Sequence, residues 1–226
     1  MNFTYYGHSC FSVEVNEKSL LFDPFISPNE LAKDIDINSI NPDYILISHA
    51  HSDHLADAET IANNSDATVI ASYEVCNWLA AKGIKKYHPL GIGGKKQFDF
   101  GTVKVVTAHH SSSFDDGSYG GTPTGFVITG GEKKFYYSGD TALTLDMQLI
   151  AQYAKIDFSV LCIGDNFTMG YKDAATAAEL AGSKINIGVH YNTFGFIKID
   201  KQKAQEYFTK KGLQLKLPAI GETIVL

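Results

Sequence analysis

The sequence predicts an α/β fold in which two β-sheets pack face to face beneath outer helices, one domain of four layers over residues 1–226. Three observations carry this. Runs rich in β-branched and aromatic residues, the composition of strands, fill both halves of the chain. Amphipathic helical segments are interspersed among them. No low-complexity tract or linker divides the 226 residues, a length that fits one large α/β domain better than two small ones.

In chain order, Phe3 to Tyr6, Phe11 to Val15 and Ser19 to Phe22 read as short strands, with turns at Gly7-His8-Ser9 and Asn16-Glu17-Lys18. Asp23-Pro24 ends the third. Residues 25–42 hold prolines without a clear period and read as loop with one helical turn. Tyr44 to Ser48 is a buried strand. Asp53 to Asn64 follows as a helix, with Leu55, Ala58, Ile61 and Ala62 on one face. Ala67 to Ala71 is a strand, and Ser72 caps a helix from Tyr73 to Lys82 that Gly83 ends. Lys96 to Phe100 and Thr102 to Thr107 form a strand pair. The long loop from His109 to Thr124 is of a kind that often lines sites. Gly125 to Thr129 and Lys133 to Ser138 make a hairpin around Gly130-Gly131. Then come a helix over 143–153, a buried strand over 156–163, a helix over 174–181 capped by Asp173, and a strand over 185–189. A surface helix over 201–211 and strands over 213–217 and 222–226 finish the sheet.

Bulk properties remove some functions. Hydrophobic residues make up 44%, enough for a sizeable core, and the formal net charge is −6. All 19 basic residues are lysine. Arginine is the preferred fork for phosphates and base edges, so its absence argues against nucleic acid as a partner. Cys10, Cys76 and Cys162 are odd in number and far apart, which predicts free thiols and a cytoplasmic setting. The N-terminus lacks the basic start and apolar run of a signal peptide, and no stretch is long enough to cross a bilayer.

The chemistry concentrates in Ser48-His49-Ala50-His51-Ser52-Asp53-His54, directly after the Tyr44 strand. In extended chain, His49 and His51 share a face, while Asp53 and His54 reach a neighbouring point as a helix begins. Neutral imidazole and carboxylate suit zinc, iron or manganese. Other strand ends carry His109 and His110, Asp140, and His190. Taken singly, His190 is an ordinary strand-end histidine and Asp140 a helix cap. Together with the 49–54 cluster they complete a ligand set. His49, His51 and His110 serve one metal, and Asp53, His54 and His190 a second. Asp140 bridges them through its two oxygens. Two cations about 3.5–4 Å apart are a common hydrolytic arrangement.

His49-x-His51-x-Asp53-His54, then His110, Asp140 and His190, resembles the metallo-β-lactamase superfamily in order and strand-end placement, over nearly the whole chain. Four further stretches resemble, more narrowly, metal-dependent hydrolases related to ascorbate-phosphate lactonases. They are Tyr6-Gly7-His8-Ser9, Leu21-Phe22-Asp23-Pro24-Phe25, the loop Gly164 to Gly170, and His190-Tyr191-Asn192-Thr193-Phe194. The resemblance implies the αββα sandwich, the ligand assignment above and hydrolysis. It leaves the substrate open, because the fold hosts lactonases, amidases, phosphodiesterases, thioesterases and di-iron redox enzymes. The family pattern also selects His110 over its neighbour His109, which becomes a core or supporting residue.

The resulting expectation is a cytoplasmic hydrolase with two divalent metal ions, zinc ahead of manganese or iron. A metal-bound hydroxide attacks a small molecule, a lactone or other ester. Asp53 and His8 are the catalytic candidates, Asp53 as a proton acceptor and His8 as a substrate or proton-moving group. Asp23 orients a ligand histidine or the nearby backbone, and Asp165 takes the same role or contacts substrate. Asn192 and Thr193 offer hydrogen bonds to a substrate oxygen, the loop around Tyr119 forms a lid, and His88 is structural or exposed. The alternatives are a phosphodiesterase or nuclease, a metal-binding module without turnover, and an iron redox enzyme. Partners are a small-molecule substrate and a homo-oligomer, with no nucleic acid and no membrane.

Overall fold

Alternation along the first strands decides how the layers stack. In β1 (Asn2–Gly7), β2 (Cys10–Val15) and β3 (Lys18–Phe22), the side chains of Phe3, Tyr5, Phe11, Val13, Leu20 and Phe22 share one buried cluster. Their neighbours Cys10 and Leu21 belong to another, on the opposite face. Both faces of the sheet therefore need a cover. The computed structural model describes residues 1–226 and supplies both.

The first sheet continues through β4 (Tyr44–Leu46), β5 (Thr68–Ala71) and β6 (Tyr87–Pro89). The second is built from β7 (Lys95–Phe98), β8 (Gly101–Thr107), β9 (Thr124–Gly130), β10 (Lys133–Tyr137), β11 (Phe158–Cys162), β12 (Ile185–Val189) and β13 (Gln214–Lys216). The last strand, β14 (Thr223–Val225), returns to the first sheet and pairs antiparallel with β1. The orders are β14-β1-β2-β3-β4-β5-β6 and β13-β12-β11-β10-β9-β8-β7. In each sheet the end carrying β3 to β6, or β10 to β13, is parallel.

The layer between the sheets is aromatic. Phe22 stacks on Phe11 at 4.6 Å and meets Phe135 and Tyr137 edge-on at 5.8 and 5.6 Å. Truncating so buried a ring costs about 3–5 kcal/mol. Outside the first sheet lie α1 (Ser52–Leu55), α2 (Ala58–Ser65) and α3 (Tyr73–Ala81). Outside the second lie α4 (Gln148–Tyr153), α5 (Tyr171–Ala181) and α6 (Lys201–Lys210). The predicted four-layer αββα order is the observed one. No helix is long and apolar enough to cross a membrane.

Several elements differ from expectation. The helix expected over 53–64 is two helices, broken where the buried Asp57 carboxylate accepts the backbone N–H groups of Ile26 and Ser27 at 2.6 and 2.8 Å. The loop over 25–42 forms two 3₁₀ turns, Glu30–Ala32 and Ile37–Ser39. His88 lies in β6, a strand that the following Pro89 obscures, and packs edge-on against Phe98. The helix over 143–153 starts as a 3₁₀ turn at Leu145–Met147. The cap of α5 is Gly170 rather than Asp173, which lies in the first turn.

Parallel strands present their carboxyl ends along one edge, where ligands bind in open α/β sheets. At that edge the two sheets are tied together. Thr124 donates its N–H and its hydroxyl to the Ser48 carbonyl, each at 3.0 Å. His190 donates its N–H to the His8 carbonyl at 2.8 Å. Gly139 sits in the left-handed region at φ 58°, where a Cβ would lie 2.4 Å from the Thr124 carbonyl, so only glycine fits before Asp140.

Candidate metal centre

The chain delivers its ligand-type side chains from the ends of β4, β8, β10 and β12 and from the first turn of α1. All seven converge. Donor atoms of His49, His51 and His110 lie within 4.8 Å of one another, as do those of Asp53, His54 and His190, joined by His8. A third group, His49, His54 and Asp140, links the first two. The His49 Nε2 to His51 Nδ1 distance is 2.9 Å. Asp140 Oδ2 lies 2.9 Å from His190 Nε2, 3.3 Å from His54 Nε2 and 3.8 Å from His110 Nε2. The aspartate thus stands between the two halves.

Asp23 orients this cluster from beneath. Its buried carboxylate accepts four donors: the Ser48 N–H at 2.7 Å, the Ser48 hydroxyl at 2.6 Å, the Tyr137 hydroxyl at 2.5 Å and His54 Nδ1–H at 2.8 Å. That contact points His54 Nδ1 at Asp23 and turns its Nε2 toward the cluster. The Ser48 hydroxyl, its hydrogen already directed to Asp23, accepts from His49 Nδ1–H at 3.0 Å, turning His49 Nε2 the same way. One carboxylate therefore turns the Nε2 atoms of two rings toward the same point.

His8 closes the other side. Its ring is fully buried, with Nε2 3.0 Å from Asp53 Oδ2 and Nδ1 3.0 Å from Thr193 Oγ1. Since the carboxylate can only accept, Nε2 carries the hydrogen, and Thr193 donates to Nδ1. His8, Asp23 and His190 all hold left-handed backbones, at φ 52°, 41° and 56°. Such conformations cost of the order of 1–3 kcal/mol each and persist where surrounding structure enforces them, commonly at functional sites.

Electrostatics prepares the cluster for cations. Burial pushes His49 well below the ordinary imidazole value, and it also lowers His51, His110 and His8, the last to about 4. These rings are neutral, the state that ligates. Burial would lower His54 too, but Asp140, Asp53 and Asp23 outweigh it and raise that ring well above its usual value. Burial opposes ionisation of Asp140 and Asp53. Even so, His190 and His54 hold Asp140 well below the carboxylate range, and His54 and His8 hold Asp53 there. No lysine forms an ion pair with Asp23, Asp53 or Asp140. His54 Nε2 and Asp140 Oδ1 are buried with no hydrogen-bond partner. Unpartnered buried donors and acceptors are costly, and the buried Asp23 and Asp140 carboxylates require compensating donors or positive charge. Divalent cations fit this set of imidazole and carboxylate donors on both counts.

Other candidates stand elsewhere. His109 is exposed and holds the loop through its backbone, to Thr141 and Ala142, so it is neither core nor a support for the ligands. Asp165 is exposed, bonds its own loop at Asn166 N–H and orients no ligand. The Asn192 side-chain oxygen accepts from Ile199 N–H at 2.8 Å, which anchors that amide to its own loop. The loop carrying Tyr119 is pinned, with Ser112 Oγ accepting the Ala50 N–H and Phe114 stacked on Trp78 at 4.9 Å. Two supporting residues escaped sequence reasoning, Ser48 and Tyr137. A lone hydroxyl residue between an apolar strand and His49 is the one signal that points to Ser48.

A family model described as a β-lactamase superfamily domain matches residues 18–191. A UPF0173 metal-dependent hydrolase of Christiangramia forsetii is 49% identical, over 100% of both chains. The UPF0173 metal-dependent hydrolase YtkL of Bacillus subtilis is 42% identical, again over 100% of both. Among solved structures, Igni18, a metallo hydrolase from the hyperthermophilic archaeon Ignicoccus hospitalis, superposes with a TM-score of 0.89 at 31% identity, covering 99% of this chain and 97% of that one. Converging imidazoles and carboxylates at the strand ends of an αββα sandwich, together with these relatives, place the chain in the β-lactamase superfamily, among the UPF0173 metal-dependent hydrolases.

Proposed function

We propose that the cluster holds two divalent cations and that the enzyme hydrolyses a small-molecule lactone or other ester. The observation that carries this is the convergence of seven imidazole and carboxylate side chains, with the buried His54 Nε2 and Asp140 Oδ1 unpartnered. His49, His51 and His110 would hold one cation, Asp53, His54 and His190 the other, and Asp140 both. Bound there, zinc, manganese or iron supplies Lewis acidity that lowers the pKa of water and polarises a carbonyl. The chain's own residues arrange the rest. Asp23 aims His49 and His54. His8 donates to Asp53 Oδ2 and so fixes which face of that carboxylate is free. Its ring is out of reach of a substrate, and we assign it this positioning role. Asp53, one-quarter exposed, is held so far below the carboxylate range that it serves as a ligand more readily than as a proton acceptor.

The chain has no arginine, the usual fork for a phosphodiester, and this favours an ester. Three free, buried cysteines support a reducing, cytoplasmic setting. The test is a screen of lactones, aryl esters and phosphodiesters with protein loaded with zinc or manganese. Lactone or ester turnover, abolished by chelation and restored by metal, is expected. Phosphodiester turnover alone, or two bound ions with no rate above background, would contradict the proposal.

A further inference from the structure

Beside the cluster, three phenylalanine rings face solvent. Phe167 is 53% exposed, Phe194 38% and Phe196 75%. They lie on the loops that follow β11 and β12, at the same sheet edge as Asp140 and His190. Phe194 meets the buried His8 ring edge-on at 5.2 Å and the buried Phe25 at 6.2 Å. Phe167 and Phe196 stand edge to face at 6.1 Å. A single exposed aromatic is ordinary, but three exposed rings on two adjoining loops, one of them against His8, are not.

The loops are also stiff. A Cβ on Gly164 would lie 2.1 Å from the His190 carbonyl, so the two loops touch backbone to side. Asn192 holds its own loop at both ends, with its N–H on the Ile197 carbonyl and its amide on Ile199, each at 2.8 Å. Asp165 and Asn166 take left-handed backbones at φ 63° and 58°, which turn Phe167 outward. Asp165 and Lys198 are the only formally charged residues from Ile163 to Gly170 and from His190 to Ile199. A preorganised, apolar wall of this kind is suited to a neutral hydrocarbon group, because no conformational freedom is lost in forming it.

We propose that Phe167, Phe194 and Phe196 receive an uncharged alkyl or aryl group attached to the reacting carbonyl, so that the substrate is a hydrophobic ester or lactone. This rests on the hydrolase reading above. The wall determines specificity and touches no reacting atom.

The experiment measures binding of straight-chain alkanoates, from acetate to octanoate, to metal-loaded protein by calorimetry. Wild type is compared with the Phe167→Ala/Phe196→Ala double variant, with metal content measured in both. In wild type the dissociation constant should fall by up to roughly fourfold per added methylene, the worth of one buried CH₂. In the double variant the fall should shrink below about 1.5-fold per methylene, at unaltered metal content. A flat wild-type series, or an equal slope in the double variant, would overturn the proposal. So would sedimentation showing a wild-type dimer that the double variant abolishes, together with a flat series. That result would assign the rings to a second copy of the chain. A steep series without turnover of any ester or lactone would sink the hydrolase reading and leave the wall standing. Turnover with a flat series would do the reverse.

Discussion

Asp23 lies outside the seven ligand-type side chains, yet it orients His54 directly and His49 through Ser48. Asp23→Asn keeps the shape and removes the charge that four donors require. We expect metal affinity to fall roughly 10- to 100-fold, the usual effect of removing such a support. Competition with a chromogenic chelator measures this, and unchanged affinity would show that the rings orient themselves. At this scale the convergence of the seven side chains was legible, because imidazoles and carboxylates at strand ends have few other reasons to cluster. The supports were less so. Backbone sign reversals at His190 and Asn192, φ 56° and 62°, turn each side chain away from where simple alternation puts it. Thr193 consequently reaches His8, and Asn192 reaches Ile199. Nothing in residue type announces a left-handed histidine.

Helices and strands were legible where the period was long and uninterrupted. The 201–210 helix and the strands at 11–15 and 185–189 fall within a residue of expectation. The helix over 53–64 failed because its period continues through Ala56-Asp57 while Asp57 bonds a distant loop. Asp57→Ala removes the acceptor for two backbone N–H groups. With each unsatisfied donor worth about 1–3 kcal/mol, a loss of roughly 2 kcal/mol lowers Tm by about 4–8 °C in a chain of this size. Calorimetry on metal-free protein reads this directly, and a Tm within about 1 °C of wild type would mean that the break has another cause.

Across the whole molecule, the layer order followed from strand and helix content, but the last strand did not. Thr223–Val225 looks like a continuation of the strand before it, yet it crosses to the other sheet, a choice that depends on which edge is open. Burial of the thiols gives the fold a pH limit. Cys76 is pushed up to about 12 and Cys162 to about 11 by burial, from an unfolded value of 9.0, and Cys10 is also raised well above that value. The unfolded chain releases these protons first. Their contribution to stability is complete below pH 9.0 and is lost as pH rises toward 11–12. By pH 10 each thiol should remove roughly 1 kcal/mol, and Cys76→Ala should flatten the decline. Denaturant midpoints from pH 8 upward test this, and a flat profile through pH 10.5 would contradict it.

The central claim is that both halves of the cluster hold a cation. Elemental analysis of protein purified without chelator, for wild type, His51→Ala and His190→Ala, tests it most directly. Two divalent ions per wild-type chain and one in each variant are the predicted result. A wild-type chain that binds none under metal excess, or variants that keep both ions, would contradict it.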